Sequence, residues 1–532
     1  MPAPAVANRY FFEDDTVKAD PISGSVPPRL KFYANGEWMV SKSGKYMPCY
    51  NPSIGAVIAY APQCASDEIE LAIVSAEKAF PAWSATPVGK RVQVLFKMKV
   101  LVEKHLDELT YLCAAENGKK WDEAMGDVLK VVEVIEFAVG APHIMKGESL
   151  MNASTGYDTV RYNEPLGVFA GIAPWNFPAM IPQGWMAPIC LAAGNCLVIK
   201  AASFCPQTSM RITELWEEAG LPKGVISVVT AGRNEAEILL KHPTIKGVSF
   251  VGSTSVGSHV YSVAAAHGKR VQALTEAKNH ALVLRDAKLE RTAQGIINAF
   301  CGCAGERCMA LPVVVAENAI ADKLVSRLVE LAKEVNLGPA YEKSTGMGPL
   351  VTAGHKKFVA DWIEKGIQEG ARLVLDGRNP KVPMECENGF FLGPTVLDHV
   401  TEEMSCGREE IFGPVLCVKR VGRYEEGIRL MNSNPFANGS VIYTSSGYYA
   451  RRFAKETDGG MVGVNVGIPV PVGIFGFTGH KKSFFGDLHC MGRDGFIFYT
   501  ESKNVTSTWF PEDQEHEGKV DTWDGTMVAL SK

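Results

Sequence analysis

Val168-Phe-Ala-Gly-Ile-Ala-Pro174 opens a region in which short apolar runs alternate with helical stretches. An apolar run closed by proline suits a strand buried on both faces. Working outward, Cys196–Lys200, Val225–Val229, Gly247–Val251 and Val271–Leu274 are likewise short, bulky and β-prone. Between them Met210–Ala219 is amphipathic and stops at Gly220, a good helix terminator. Strands of this kind separated by helices predict a mostly parallel sheet covered on both faces. From about 285 to 480 the style repeats, so a second parallel-sheet α/β domain is expected. On the N-terminal side, short runs broken by Asn, Gly and Pro between about 30 and 65 predict strands and hairpins. From about 66 to 145 Ala, Leu and Glu recur at helical spacing.

Length and composition bound the function classes. A chain of 532 residues exceeds one simple core, so two or three domains are expected. Hydrophobic residues at 46% and charged residues at 21% are ordinary for a globular protein. A net charge of -5 offers no basic face, so neither a nucleic-acid nor a membrane-surface partner is expected. No apolar run reaches the ~18 residues that a spanning helix needs. The first twenty residues lack a basic start and carry Glu13, Asp14 and Asp15, which argues against a leader peptide. Thirteen cysteines without a disulfide-framework spacing predict reduced thiols and a cytoplasmic location. Cys301, Cys303 and Cys308 cluster, but no second His/Cys group stands near at zinc spacing, so no metal site is expected.

Three stretches carry residue types with chemistry. Cys308 stands in Ala304-Gly-Glu-Arg-Cys-Met-Ala310. A thiolate is nucleophilic, a neighbouring cation lowers its pKa, and Arg307 adjoins it. Taken alone, such a cysteine is more often a small core residue. Asn176 lies in Ala173-Pro-Trp-Asn-Phe-Pro178, after a strand and between two prolines. Its amide, with the Cys308 backbone N–H, would make an oxyanion hole; alone, it reads as a turn asparagine. Phe250-Val-Gly-Ser-Thr-Ser-Val-Gly257 runs from a strand through glycine and hydroxyls into a helix, whose start can hold a pyrophosphate. It is not the G-x-G-x-x-G fingerprint and by itself is a weak signal. Lys200, ending the strand CLVIK, can reach a ribose hydroxyl or a phosphate; an isolated lysine there is usually only a solvated strand end. A nucleophile, oxyanion donors and a dinucleotide cradle are together what oxidation of an aldehyde to the acyl level requires.

These pieces, in this order, resemble the NAD(P)-dependent aldehyde dehydrogenase superfamily from about 30 to 505. The resemblance is strongest to its CoA-acylating methylmalonate-semialdehyde branch. The residues that carry it are Gly305-Glu-Arg-Cys-Met-Ala310, Arg270-Val-Gln-Ala-Leu274 with Lys278-Asn-His280, and Ser483-Phe-Phe-Gly486 with Leu488-His489; Ile411-Phe-Gly-Pro414 belongs to the wider superfamily. The resemblance implies Cys308 as nucleophile and Asn176 as oxyanion donor. It places Lys200, Gly252 and Ser253 on NAD or NADP, with Glu410 on the nicotinamide ribose. Ala173, Pro174, Trp175, Phe177 and Phe412 complete the cofactor site. The implied fold is aldehyde dehydrogenase-like: two parallel-sheet α/β domains plus a small β oligomerisation arm. The dinucleotide-binding domain would take 1–144 and 165–283, the catalytic domain 284–480, and the arm 145–164 with 481–505. An extended tail would run from 506 to 532. Such enzymes are homodimers or homotetramers.

Departures from the family pattern shape the expected chemistry. Hydrolytic members carry a glutamate four residues before the lysine matching Lys278; Leu274 stands there, and leucine cannot act as a base. The acyl-enzyme should then persist until coenzyme A takes the acyl group. Glu276, where the family usually has glycine, is either a relocated base giving a free acid or a charged loop residue. The branch clamps a substrate carboxylate with two arginines. Arg307 fits one, and Lys130 stands at the other, keeping charge but losing the bidentate fork. His480 replaces a tryptophan common near this pocket. Ser203 replaces the glutamate that NAD-preferring relatives use on the ribose, so NADP is open, and Gly232 is the one glycine of the turn after Val229. A third alternative is a catalytically silent relative kept as a binding or structural protein.

Overall fold

The computed structural model describes residues 9–154 and 157–508. Two large sheets organise the main body, which spans 165–500 together with residues 9–145. The first has eight strands. From one edge they run Phe484–Gly486, Arg270–Leu274, Ile245–Val251, Val168–Ile172, Cys196–Ala201, Ile226–Thr230, Phe32–Ala34 and Glu37–Met39. The middle five pair in parallel and the flanking strands antiparallel. Every residue of Ile226–Thr230 is buried, as the continuous apolar run predicts for a strand sandwiched between helix layers. The helices Ser66–Ala85, Gln207–Glu218 and Thr254–Ala266 are among those that cover it.

The chain reverses its direction of sheet growth at Val168–Ile172. Cys196–Ala201 joins on one side of that strand and Ile245–Val251 on the other. The carboxyl ends of Val168–Ile172 and Ile245–Val251 therefore open onto a crevice with no crossover above it, where open α/β sheets bind ligands. The motifs Ala173–Pro178 and Val251–Gly257 leave from these two ends.

The second sheet runs Arg372–Leu375, Thr395–Asp398, Val415–Val421, Val313–Glu317, His280–Val283, Gly439–Tyr443 and Met461–Val464. All neighbours are parallel except the first pair. The sequence-based expectation of a second parallel α/β layer is met, and each sheet has its own buried apolar cluster.

The described residues of 146–164 and 501–508 form a separate unit, in which Ser149–Ser154, Tyr157–Pro165 and Thr500–Thr508 make a three-stranded sheet. One boundary differs from the expected division. Phe484–Gly486 pairs with Arg270–Leu274, the helix Gly492–Tyr499 packs on Ala187–Ala193, and His480–Lys481 pairs with Phe436–Ala437, so 481–500 go with the main body rather than with the arm. The expected tail begins inside the strand Thr500–Thr508 and beyond Thr508 lies outside the described residues. Among the described residues no helix is long and apolar enough to cross a membrane.

Candidate active site

The helix Leu289–Cys301 ends in a turn in which Cys303 and Ala304 both have φ 49° and Gly305 has φ 76°. Left-handed backbone at two non-glycine residues is uncommon and strained. A Cβ at Gly305 would fall 2.1 Å from the Gly413 carbonyl oxygen, so glycine lets the turn press against the Ile411–Pro414 segment. Cys308 thereby shares a cavity with Glu410 and Phe412. Its carbonyl accepts from Asn279 Nδ2 at 2.8 Å and from Asn438 Nδ2 at 3.1 Å, which fixes the backbone behind the thiol.

The Asn176 turn is held as firmly. Lys119 Nζ donates to the Asn176 carbonyl at 2.5 Å and to Asp127 Oδ2 at 2.9 Å. Asp127 Oδ1 accepts the Met180 N–H at 2.6 Å, and Asn117 Nδ2 donates to the Trp175 carbonyl at 2.9 Å. Asn176 Nδ2 donates to the Glu306 carbonyl at 3.1 Å. That uses one of the two amide hydrogens and leaves the other for a second acceptor.

Three cavities meet around these turns. One of about 460 Å³ lies at the crevice between the two strand ends, lined by Ala173, Pro174, Trp175, Lys200, Gly232, Gly252 and Ser253 among others. A second of about 260 Å³ continues from Gly252 and Ser253 to Glu276, Glu410, Phe412, Asn176 and Cys308. A third of about 400 Å³ lies on the other side of Cys308, with Phe177, Met180, Trp185, Ile468, Val470 and Phe477 as its apolar wall. The chain thus presents a crevice at a sheet switch point, a thiol, and an apolar chamber, in that order.

The sequence pattern of the aldehyde dehydrogenase family matches residues 38–505. The chain belongs to the aldehyde dehydrogenase family. Malonate-semialdehyde dehydrogenase 2 of Geobacillus kaustophilus is 47% identical over 480 residues, covering 90% of this chain and 99% of the relative. The crystal structure of methylmalonate-semialdehyde dehydrogenase from Oceanimonas doudoroffii superposes with a TM-score of 0.88 at 41% identity, covering 90% of this chain and 98% of that one. An NAD+ complex of an aldehyde dehydrogenase from Bacillus cereus superposes with a TM-score of 0.85 at 30% identity, covering 90% and 96%. The fold is that of an aldehyde dehydrogenase, and the enzyme is an oxidoreductase acting on aldehydes.

Burial dominates the electrostatics of this aldehyde dehydrogenase site. It pushes the Cys308 thiol up to about 12, with the Glu410 carboxylate adding to the rise, while Lys119 and Arg307 pull weakly the other way. The activating effect expected of Arg307 is therefore outweighed. Burial also lifts Glu410 to about 8, opposed by the Ala277 N–H that its Oε1 accepts at 3.0 Å and reinforced by Glu276. Lys200 is lowered by burial and, among the described residues, its ammonium has no hydrogen-bond or ion-pair partner. A half-buried, unpaired ammonium lining a crevice fits an anionic or hydroxyl-rich ligand. The crevice fits a dinucleotide on that ground and because it ends at a helix start.

Most of the sequence-predicted residues come together here, but four are placed differently from the expectation. Phe177, expected on the cofactor, lines the apolar chamber beyond Cys308 and neither of the other two cavities. The Ser203 hydroxyl accepts from Gln63 Nε2 at 3.1 Å, and its carbonyl from the Cys49 thiol at 3.3 Å; it lines none of the three cavities. Lys130 lines the apolar chamber, but its ammonium is held by Glu133 at 2.9 and 3.0 Å and by the Pro471 carbonyl at 3.1 Å. Its charge is thus already neutralised. One Arg307 terminal nitrogen donates to the Asn298 carbonyl at 2.7 Å, while its Nε is buried without a partner. Lys119 and Asp127 carry no motif that singles them out in the sequence. Their 8-residue separation crosses a helix boundary, and only the fold makes them a pair. His355 went equally unseen: its Nε2 lies 2.7 Å from the Phe412 carbonyl and its ring 5.6 Å from that of Trp175.

Proposed function

We propose that the enzyme oxidises a short aldehyde, a malonate-type semialdehyde or a close relative, to an acyl-CoA through a thioester on Cys308. Leu274 carries this reading. It is buried in the strand Arg270–Leu274 at the point where hydrolytic relatives present a base, and the nearby Glu276 carboxylate is engaged by the Thr254 N–H at 3.2 Å. With no base trained on the thioester, water attacks slowly and a thiol acceptor is needed. A bound NAD or NADP supplies the hydride acceptor. The chain's own residues do the rest. Cys308 Sγ adds to the carbonyl carbon, and the free Asn176 amide hydrogen and the Cys308 N–H stabilise the oxyanion. After hydride loss the acyl group stays on Sγ until coenzyme A takes it.

For the cofactor we assign Lys200, Gly252, Ser253 and Gly232 to the crevice, Glu410 to the nicotinamide end, and Pro174, Trp175 and Phe412 to its walls. For the aldehyde we assign Arg307, whose Nη1 makes no hydrogen bond among the described residues and is left for a carboxylate, and give Lys130 the lesser part. A hydrolytic reading, with Glu276 as base, competes because Glu276 lines the same cavity as Cys308. The arm sheet leaves Leu150, Met151 and Tyr162 exposed, which supports a homodimer or homotetramer. Thirteen free thiols suit the reducing cytoplasm.

The test is product analysis of propanal and malonate-semialdehyde oxidation, with NAD or NADP, with and without CoA. Turnover that requires CoA and yields an acyl-CoA is expected. Full turnover to a free acid without CoA overturns this reading in favour of Glu276 as deacylating base.

A further inference from the structure

Glu276 sits where an incoming anion would meet the helix Thr254–Ala266. Its Oε2 accepts the Thr254 N–H at 3.2 Å, in the first turn of a helix 13 residues long whose N-cap is Ser253. The backbone around Glu276 is pinned. The Thr275 N–H donates to the Ser483 carbonyl at 2.9 Å, the Ser483 hydroxyl donates to the Glu276 carbonyl at 2.7 Å, and the Ala277 N–H donates to Glu410 at 3.0 Å. The helix lies so close that a Cβ at Gly257 would fall 2.2 Å from Thr275 Cγ2, which leaves it no room to shift onto the Thr275–Ala277 backbone. The Glu276 side chain is partly exposed and is the part able to swing clear of the Thr254 N–H.

The surroundings say what would move it. Gly252 and Ser253 line both the cavity that holds Glu276 and the crevice that holds the unpaired Lys200. The crevice therefore runs continuously from a cation without a partner to a helix start already occupied by a carboxylate. A diphosphate bound along it needs the same N–H groups. Two anions at one helix start in a poorly solvated cleft repel.

We propose that Glu276 is a tethered competitor of the dinucleotide diphosphate: it caps the helix in the free enzyme and must leave the Thr254 N–H when the diphosphate arrives. The proposal rests on the dinucleotide site assigned above. Binding is then an exchange of one anion for another, and Glu276 sets the affinity without touching the adenosine or the reacting carbon.

The experiment is calorimetric titration of the full-length protein with NAD, NADP, ADP and adenosine, in the wild type, Glu276→Gln and Glu276→Gly. Glutamine keeps the shape and removes the charge, so it guards against a folding defect of the glycine variant. Both variants are expected to bind the preferred dinucleotide and ADP about tenfold more tightly, with adenosine within about twofold of the wild type, and the gain should shrink as salt rises. Wild-type binding that is unchanged or weakened in both variants overturns the competitor role, as does a gain that extends equally to adenosine. Failure of every protein to bind NAD or NADP instead overturns the cofactor assignment, and the proposal with it.

Discussion

The two sides of Cys308 treat charge in opposite ways. On the aldehyde side nearly every charge has a partner: Lys119 with Asp127, Lys130 with Glu133, and Glu123 with the Cys303 N–H at 2.7 Å. On the dinucleotide side Lys200 is unpaired, Glu410 is held up to about 8, and Glu276 rests on a single backbone N–H. Paired charges in a closed wall keep a shape, whereas unpaired ones wait for a ligand. The first side is built to hold geometry and the second to receive charge. The contrast also bears on substrate choice. With Lys130 neutralised, Arg307 is the chamber's cationic side chain with donors to spare among the described residues, since only its Nη2 is hydrogen-bonded.

Substitutions ranked by expected effect probe this contrast. Cys308→Ala should lower aldehyde oxidation by about 10⁴-fold or more while leaving dinucleotide binding within about twofold, as calorimetry beside steady-state rates would record. Asp127→Ala should leave a buried ammonium unpaired and cost about 3–5 kcal/mol of stability in urea unfolding; a loss below about 1 kcal/mol would mean that the aldehyde-side wall does not depend on its ion pair. Asn176→Ala should reduce kcat by about 10²–10³-fold with KM little changed. Arg307→Ala should reduce the preference for malonate semialdehyde over propanal by about tenfold, against less than about threefold for Lys130→Ala. Equal effects of the two would erase the distinction between a spare and a spent cation.

The smallest effect is on pH dependence. Glu410 has its folded pKa raised to about 8, above the ordinary carboxyl value. The folded state therefore holds a proton that the unfolded chain releases above about pH 4.5. This contribution to stability is complete at low pH and is lost as pH rises through about 8. The fall of Tm between pH 5 and pH 8 should be shallower in Glu410→Gln, and an unchanged slope would place the titration elsewhere.

The parallel sheets were legible because buried strands need continuous apolar runs, and Val168–Pro174 and Cys196–Lys200 are such runs. That Cys308, Asn176, Gly252 and Glu410 share one cavity was legible in outline, because each sits in a local motif rich in glycine or proline. The partners that hold them were not. Lys119 and Asp127 look like ordinary helix-end and helix-face charges until the Asn176 turn is laid over them. Lys130 shows a related limit: its residue type suggests a clamp, but Glu133 one turn along the same helix engages its charge. The Glu276 backbone position was readable, whereas the direction of its side chain depends on a helix that approaches only through Gly257.

Of the thirteen cysteines, twelve are buried and Cys308 alone is not. Acidity and access are separated among them: the thiol lowered by its neighbour's hydrogen bond is Cys417, which is buried, whereas Cys308 is reachable but weakly acidic. A small alkylating reagent will therefore select by entry rather than by thiolate content. Uptake of one equivalent per folded chain would count competent sites directly, and any second equivalent would report opening of the core.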